Sequence, residues 1–266
     1  MIKVIDEVFE SSLTNRRHGF KALLPERYAH SSVEYPVLYL LHGLFGSGAN
    51  WLESTGLQNY LSAYEMIVIL PEGEDRWYTD GASGDEKVKV ESSFIEELIP
   101  TIEKKYKVSG RRERRAVAGL SMGGYGAFKF ALKRPDLFIF AGSMSGAFNA
   151  AEIAENGCRS DWQELLPTLS AVFGEAESRT RIENDLFKIV QEMRAENVSS
   201  LPELYFDCGT ADSFLKVNRD LAELLRSKKI DFQYREISGG HDWDYWDKQL
   251  HVLLAKTAKI FNRTPL

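Results

Sequence analysis

Along this chain, runs of five or six apolar residues recur that are too short for helices and too continuous for strands with one wet face. Residues 36–41, 66–70, 116–120, 137–142 and 204–208 read as strands buried on both sides, and 231–237 closes the set. Between them, helical spacing appears over about 90–106, 123–133, 214–227 and 243–261. Strands that alternate with helices are driven parallel, because each crossover returns the chain to the same end of the sheet. The expectation is an α/β fold: a mostly parallel, twisted sheet with flanking helices. Two more strands open the chain, around 4–11 and 17–24. They are close enough to pair as an antiparallel hairpin at one edge, and Pro25 ends the second.

At 266 residues the chain is long enough for one well-buried core, and residues 1–266 are expected to form a single domain. One segment breaks the rhythm. Residues 148–200 are charged, helical in places and longer than a crossover requires. They read as a helical insertion, either a cap over the active site or extra helices on the sheet's flank. The net charge of −6 argues against nucleic acid or an anionic membrane as partner. The one basic run, residues 111–115, is broken by Glu113 and reads as a solvated turn before a strand. Cys208 falls in an apolar stretch and Cys158 in a polar one, and nothing demands a disulfide. No Cys or His spacing suits zinc. Acids at Asp6 and Glu7 stand where a signal peptide would be apolar, and no run is long enough to span a bilayer. A cytoplasmic protein is expected.

Gly119-Leu120-Ser121-Met122-Gly123 lies where an apolar strand meets a helix. A sharp turn there lifts a serine hydroxyl above the sheet, while flanking glycines let neighbouring backbone approach. The helix N-terminus aims free N–H groups at developing negative charge. Ser121 is therefore the candidate nucleophile. A serine needs a base to take its proton and a carboxylate to orient that base, in the chain order Ser, acid, His. Of five histidines only His241 and His251 follow Ser121. His251 falls within a helical pattern, whereas His241 follows a strand and the loop Ser238-Gly239-Gly240. The acid should follow the preceding strand, which selects Asp212. Asp207 is its rival but belongs to the strand itself. Two backbone donors should hold the oxyanion. Met122 is one. The other lies in His42-Gly43-Leu44-Phe45-Gly46, with Leu44 preferred over Phe45 and His42 structural.

With these pieces in place the sequence resembles the esterase D family, which includes antigen-85-type and feruloyl-esterase-type proteins. The resemblance rests on Leu40-Leu41-His42-Gly43, on Leu70-Pro71-Glu72-Gly73 with Trp77-Tyr78-Thr79-Asp80, and on residues 118–127 around Ser121. Ser143-Met144-Ser145-Gly146 and Gly239-Gly240-His241-Asp242-Trp243 complete it. It implies an α/β-hydrolase fold, esterase or acyltransferase activity through Ser121, Asp212 and His241, and no metal or organic cofactor. The expected partner is a small-molecule ester with a short acyl group. S-formylglutathione, feruloyl or acetylxylan esters are the alternatives, and a homo-oligomer is compatible with the sequence. Trp77 and Tyr78 are candidate pocket residues, and Asp80 is expected to order its loop.

Overall fold

The computed structural model describes residues 1–82, 88–153 and 160–263. Eight strands form one sheet: β1 (Lys3–Ser11), β2 (Arg16–Leu24), β3 (Val37–Leu41), β4 (Ile67–Pro71), β5 (Arg115–Leu120), β6 (Phe140–Met144), β7 (Glu203–Gly209) and β8 (Phe232–Ile237). Their spatial order is β1-β2-β4-β3-β5-β6-β7-β8. β1 and β2 pair antiparallel, as does β2 with β4, and every other pairing is parallel. The chain reverses its strand order on either side of β3, and that reversal opens a crevice at the carboxyl ends of the central strands.

The apolar runs are continuous because both faces of the sheet are covered. Every residue of β3, β4, β5 and β6 is buried. Alternate side chains enter different cores. Tyr39, Leu41 and Val117 pack with Phe94, Tyr125, Phe128 and Leu221 on one face. Leu38, Leu40, Ala116 and Ala118 pack with Trp51, Leu57, Leu250 and Leu253 on the other. One long helical stretch, Val90–Ser93, Phe94–Leu98 and Ile99–Lys105, widens to π geometry in its middle section. Pro100 comes two residues after this section; it has no N–H for the Glu96 carbonyl four residues back, and its ring crowds that carbonyl.

Three sequence expectations need correction. β6 begins at Phe140, not at 137, because Leu137 closes a turn on Arg134 and its carbonyl accepts from the Arg115 guanidinium. β8 is not buried on both faces. It is the sheet's edge and alternates between half-buried and exposed residues. The basic run is no solvated turn: Arg114 and Arg115 are buried, and Arg115 bonds the Gly110 carbonyl and the Glu103 carboxylate. Its fork ties the start of β5 to the preceding helix, a role that a solvated charge would not have. Cys208 is buried in β7 and free, while Cys158 lies outside the described residues.

The 148–200 segment contributes short helices at Leu166–Phe173, Arg179–Asn184, Leu186–Glu192 and Ala195–Val198. Leu186 and Val190 join the core on the flank formed by Met122–Lys133 and Leu215–Ser227. Its 3-10 turn, Ser160–Leu165, reaches the crevice instead. Among the described residues, no helix is long and apolar enough to cross a membrane.

Candidate active site

Ser121 sits between β5 and the helix Met122–Lys133 with φ 52° and ψ −114°. A non-glycine residue there stores about 1–3 kcal/mol of strain and must be held by its surroundings. The Ser121 N–H donates to the Met144 carbonyl at 2.9 Å, and its carbonyl accepts from Tyr125 and Ala147. Gly123 makes this turn possible. A Cβ at that position would come within 2.4 Å of the Leu41 carbonyl oxygen, so any larger residue would push the helix off β3.

The carboxyl ends of β7 and β8 deliver the partners. His241 Nε2 lies 3.0 Å from Ser121 Oγ, and His241 Nδ1 lies 2.9 Å from Asp212 Oδ2. Burial alone would raise the Asp212 carboxyl. The hydrogen bond and charge of His241, the Phe214 N–H at 2.8 Å and the Ser145 hydroxyl outweigh it and hold the group below its ordinary range. An ionised Asp212 only accepts, so Nδ1 carries the proton and Nε2 is free to accept from Ser121. The imidazole is wedged between Phe214 and Trp246, with ring centroids 5.2 Å and 4.9 Å away. The structure thus brings together all three residues picked from the sequence.

Asp207, the rival acid, is fully buried and accepts from Tyr245 at 2.7 Å and Tyr205 at 2.8 Å. Burial pushes its carboxyl up to about 6 despite these donors. Its backbone carbonyl accepts from the Ser145 N–H. Ser145, with φ 53°, also receives Trp246 Nε1–H at 3.2 Å. Sequence reading did not single out Ser145, Phe214 or Trp246 as site residues. The Ser143–Gly146 motif was the available signal for Ser145.

The loop after β3 is pinned on several sides. His42 donates from Nδ1 to the Gly43 carbonyl at 2.7 Å, and its Nε2 accepts the Gly73 N–H at 2.8 Å. Burial keeps its imidazole below the usual range and therefore neutral, which both bonds require. Glu72 accepts the Gly48 N–H and Asp75 accepts the Phe45 N–H at 2.7 Å. The Phe45 donor is thereby committed, which leaves Leu44 as the loop's candidate for the oxyanion. Gly43 lies against the serine, since a Cβ there would fall 3.6 Å from Ser121 Cβ. Met122 opens its helix, where N–H groups have no partner within the helix.

A cavity of about 570 Å³ covers Ser121 and His241. Its walls include Leu44, Phe45, Trp77, Trp162, Leu165 and Phe214, with Trp243 and Trp246 beside His241. Trp162 of the insertion stacks on Phe214 at 5.2 Å with ring planes 10° apart. Trp77 forms part of the cavity wall. Tyr78 does not: it is buried behind the wall, and its hydroxyl donates to the His42 carbonyl at 3.2 Å. Both residues take positive φ, 53° and 50°, and this tight reversal sends the two rings apart. Lys129 holds the reversal, donating to the Tyr78 carbonyl and Thr79 Oγ1, each at 2.6 Å, while pairing with Glu91 at 2.8 Å. Asp80 accepts from the N–H and hydroxyl of Ser92 and so is tied to the start of the helical stretch at Val90–Ser93. Among the described residues no group of His, Cys, Asp and Glu could hold a metal ion.

The sequence profile of the family described as "Putative esterase" matches residues 11–257. The chain belongs to this esterase family. An acetyl esterase of Caldicellulosiruptor saccharolyticus is 33% identical over 217 residues, 80% of this chain and 79% of that protein. The structure of a ferulic acid esterase superposes with a TM-score of 0.82 at 29% identity, covering 97% of this chain and 99% of the other. An S-formylglutathione hydrolase from Agrobacterium tumefaciens shares the fold, with a TM-score of 0.82 at 21% identity over 98% of this chain and 96% of the other. The esterase is an ester hydrolase of the α/β-hydrolase fold.

Proposed function

We propose that the esterase is a serine carboxylesterase that hydrolyses small esters with short acyl groups through an acyl-enzyme on Ser121. The observation that carries this is the unbroken chain Ser121 Oγ, His241 Nε2, His241 Nδ1 and Asp212 Oδ2, with steps of 3.0 Å and 2.9 Å, in which Ser121 and His241 line the cavity and Asp212 is buried behind them. Ser121 Oγ attacks the ester carbonyl carbon as its proton passes to His241 Nε2. Asp212 stabilises the imidazolium, and the Met122 and Leu44 N–H groups receive the oxyanion. The tetrahedral intermediate expels the alcohol, which takes the proton from His241. Water then gives a proton to His241 and attacks the acyl carbon, and the acid and Ser121 are regenerated.

A short acyl group is supported by the relative named as an acetyl esterase. S-formylglutathione fits less well. Among the described residues the cavity wall carries Glu164 and Asp242 but no Lys or Arg to meet glutathione's carboxylates. The test is a panel of p-nitrophenyl esters from acetate to laurate beside S-formylglutathione, with wild type and Ser121→Ala. Wild type should favour acetate to butyrate, and the variant should lose roughly 10⁶ in kcat. Equal activity in the two proteins would overturn the reading.

A further inference from the structure

Phe45 combines three features that packing does not explain. The residue is 66% exposed, although it lines the cavity over Ser121. Its φ is 59°, a conformation that a bulky residue adopts at a cost and glycine adopts freely. Its N–H is fixed by Asp75 at 2.7 Å, so the ring's anchor point is rigid. A single exposed hydrophobic residue needs no explanation. A phenylalanine held at the active-site mouth, in backbone geometry that disfavours it and with little of its own surface buried, does need one.

We infer that Phe45 is a substrate-contacting residue that selects esters whose alcohol portion is bulky and apolar. This rests on the reading of Ser121 as nucleophile. Attack leaves the acyl group on Ser121, and the alcohol must depart through the open mouth before water enters. Residues at the mouth therefore meet the alcohol, whereas buried wall residues such as Trp77, 1% exposed, meet the acyl group. Phe45 adjoins Leu44, the oxyanion donor, so a ring on the alcohol can cover it while the carbonyl oxygen is held. That contact removes apolar surface of both rings from water.

The test holds the acyl group constant and varies the alcohol. Benzyl acetate and ethyl acetate carry the same acyl group, so the change in their kcat/KM ratio on substituting Phe45 reports the alcohol contact, the intrinsic reactivity of each ester cancelling between the proteins. Phe45→Ala and Phe45→Gly should each lower the benzyl-to-ethyl ratio by about two- to tenfold, the span of an aromatic contact. Phe45→Tyr should retain the ratio. Phe45→Gly should melt no lower than wild type, because glycine relieves the positive φ. An unchanged ratio would overturn the inference, and so would a parallel fall for both esters, which would mark Phe45 as support for the oxyanion loop. Ser121→Ala, run on the same two acetates, reports separately on the nucleophile.

Discussion

Replacing Lys129 by Met should unfold much of what holds the cavity wall. The ammonium is fully buried and serves Glu91, the Tyr78 carbonyl and Thr79 at once. Removing one partner of a buried pair costs about 3–5 kcal/mol, because the other charge stays behind without compensation. Here the lower end applies, since Glu91 keeps Lys133 at 2.9 Å and that partner is 31% exposed. At roughly 2–4 °C per kcal/mol for a chain of this size, melting should fall by about 6–12 °C. Glu91→Leu together with Lys129→Met should recover most of the loss, because an apolar replacement of the whole pair leaves no orphaned charge. The Trp77–Tyr78 reversal loses its anchor in the single variant, so KM for p-nitrophenyl butyrate should rise more than kcat falls. Burial holds the Lys129 ammonium down to about 8, against its ordinary 10.5. A lowered value in the folded state means that its contribution to stability grows as pH climbs from about 8 towards 10.5, and is lost as pH falls through 8. Wild type should therefore gain on Lys129→Met over that interval. Urea unfolding of the four proteins of the cycle checks all of this. A cost under about 1 kcal/mol, or additive effects of the two substitutions, would refute the reasoning.

Asp207 gives a second pH signature. Its carboxyl is raised to about 6 from 3.8, so its contribution to stability is present at low pH and lost as pH rises through 6. Between pH 4 and 7 wild type should lose about 2 kcal/mol relative to Asp207→Asn in urea unfolding; parallel curves would count against the buried carboxylate. Asp212→Asn should leave KM nearly unchanged and lower kcat by roughly 10⁴, because an amide no longer fixes the Nδ1–H form of His241. Steady-state kinetics on p-nitrophenyl acetate check this, and a loss under tenfold would contradict the orienting role.

Much of the architecture was legible because burial on both faces leaves little choice of residue. Five of the six later strands announced themselves as apolar runs, and the hairpin at the edge followed from spacing. β8 was misjudged since an edge strand needs only one apolar face, and Phe232 and Tyr234 alternate with polar residues. Residues 137–139 are apolar enough for a strand, but Leu137 is held in a turn by Arg134 and gripped by Arg115, so β6 starts later, and a guanidinium's reach across 22 residues leaves no local trace. Ser121, Asp212 and His241 could be picked because each follows a strand in the required order. The loop anchors Glu72 and Asp75 could not, because their partners are backbone groups far away in sequence, and Ser145 stood in a visible motif whose contacts with Asp212 and Trp246 only the fold supplies. Trp77 and Tyr78 looked equivalent in sequence. Two successive left-handed residues then put one ring in the cavity and the other behind it.

The most direct test of the account is to locate the covalent bond. The esterase would be treated with a p-nitrophenyl phosphonate, whose phosphorus mimics the tetrahedral carbon, and its peptides mapped by mass spectrometry. A single adduct on Ser121, absent in Ser121→Ala and formed far more slowly in His241→Ala, is the predicted result. An adduct on another residue, or full labelling of Ser121→Ala, would contradict it.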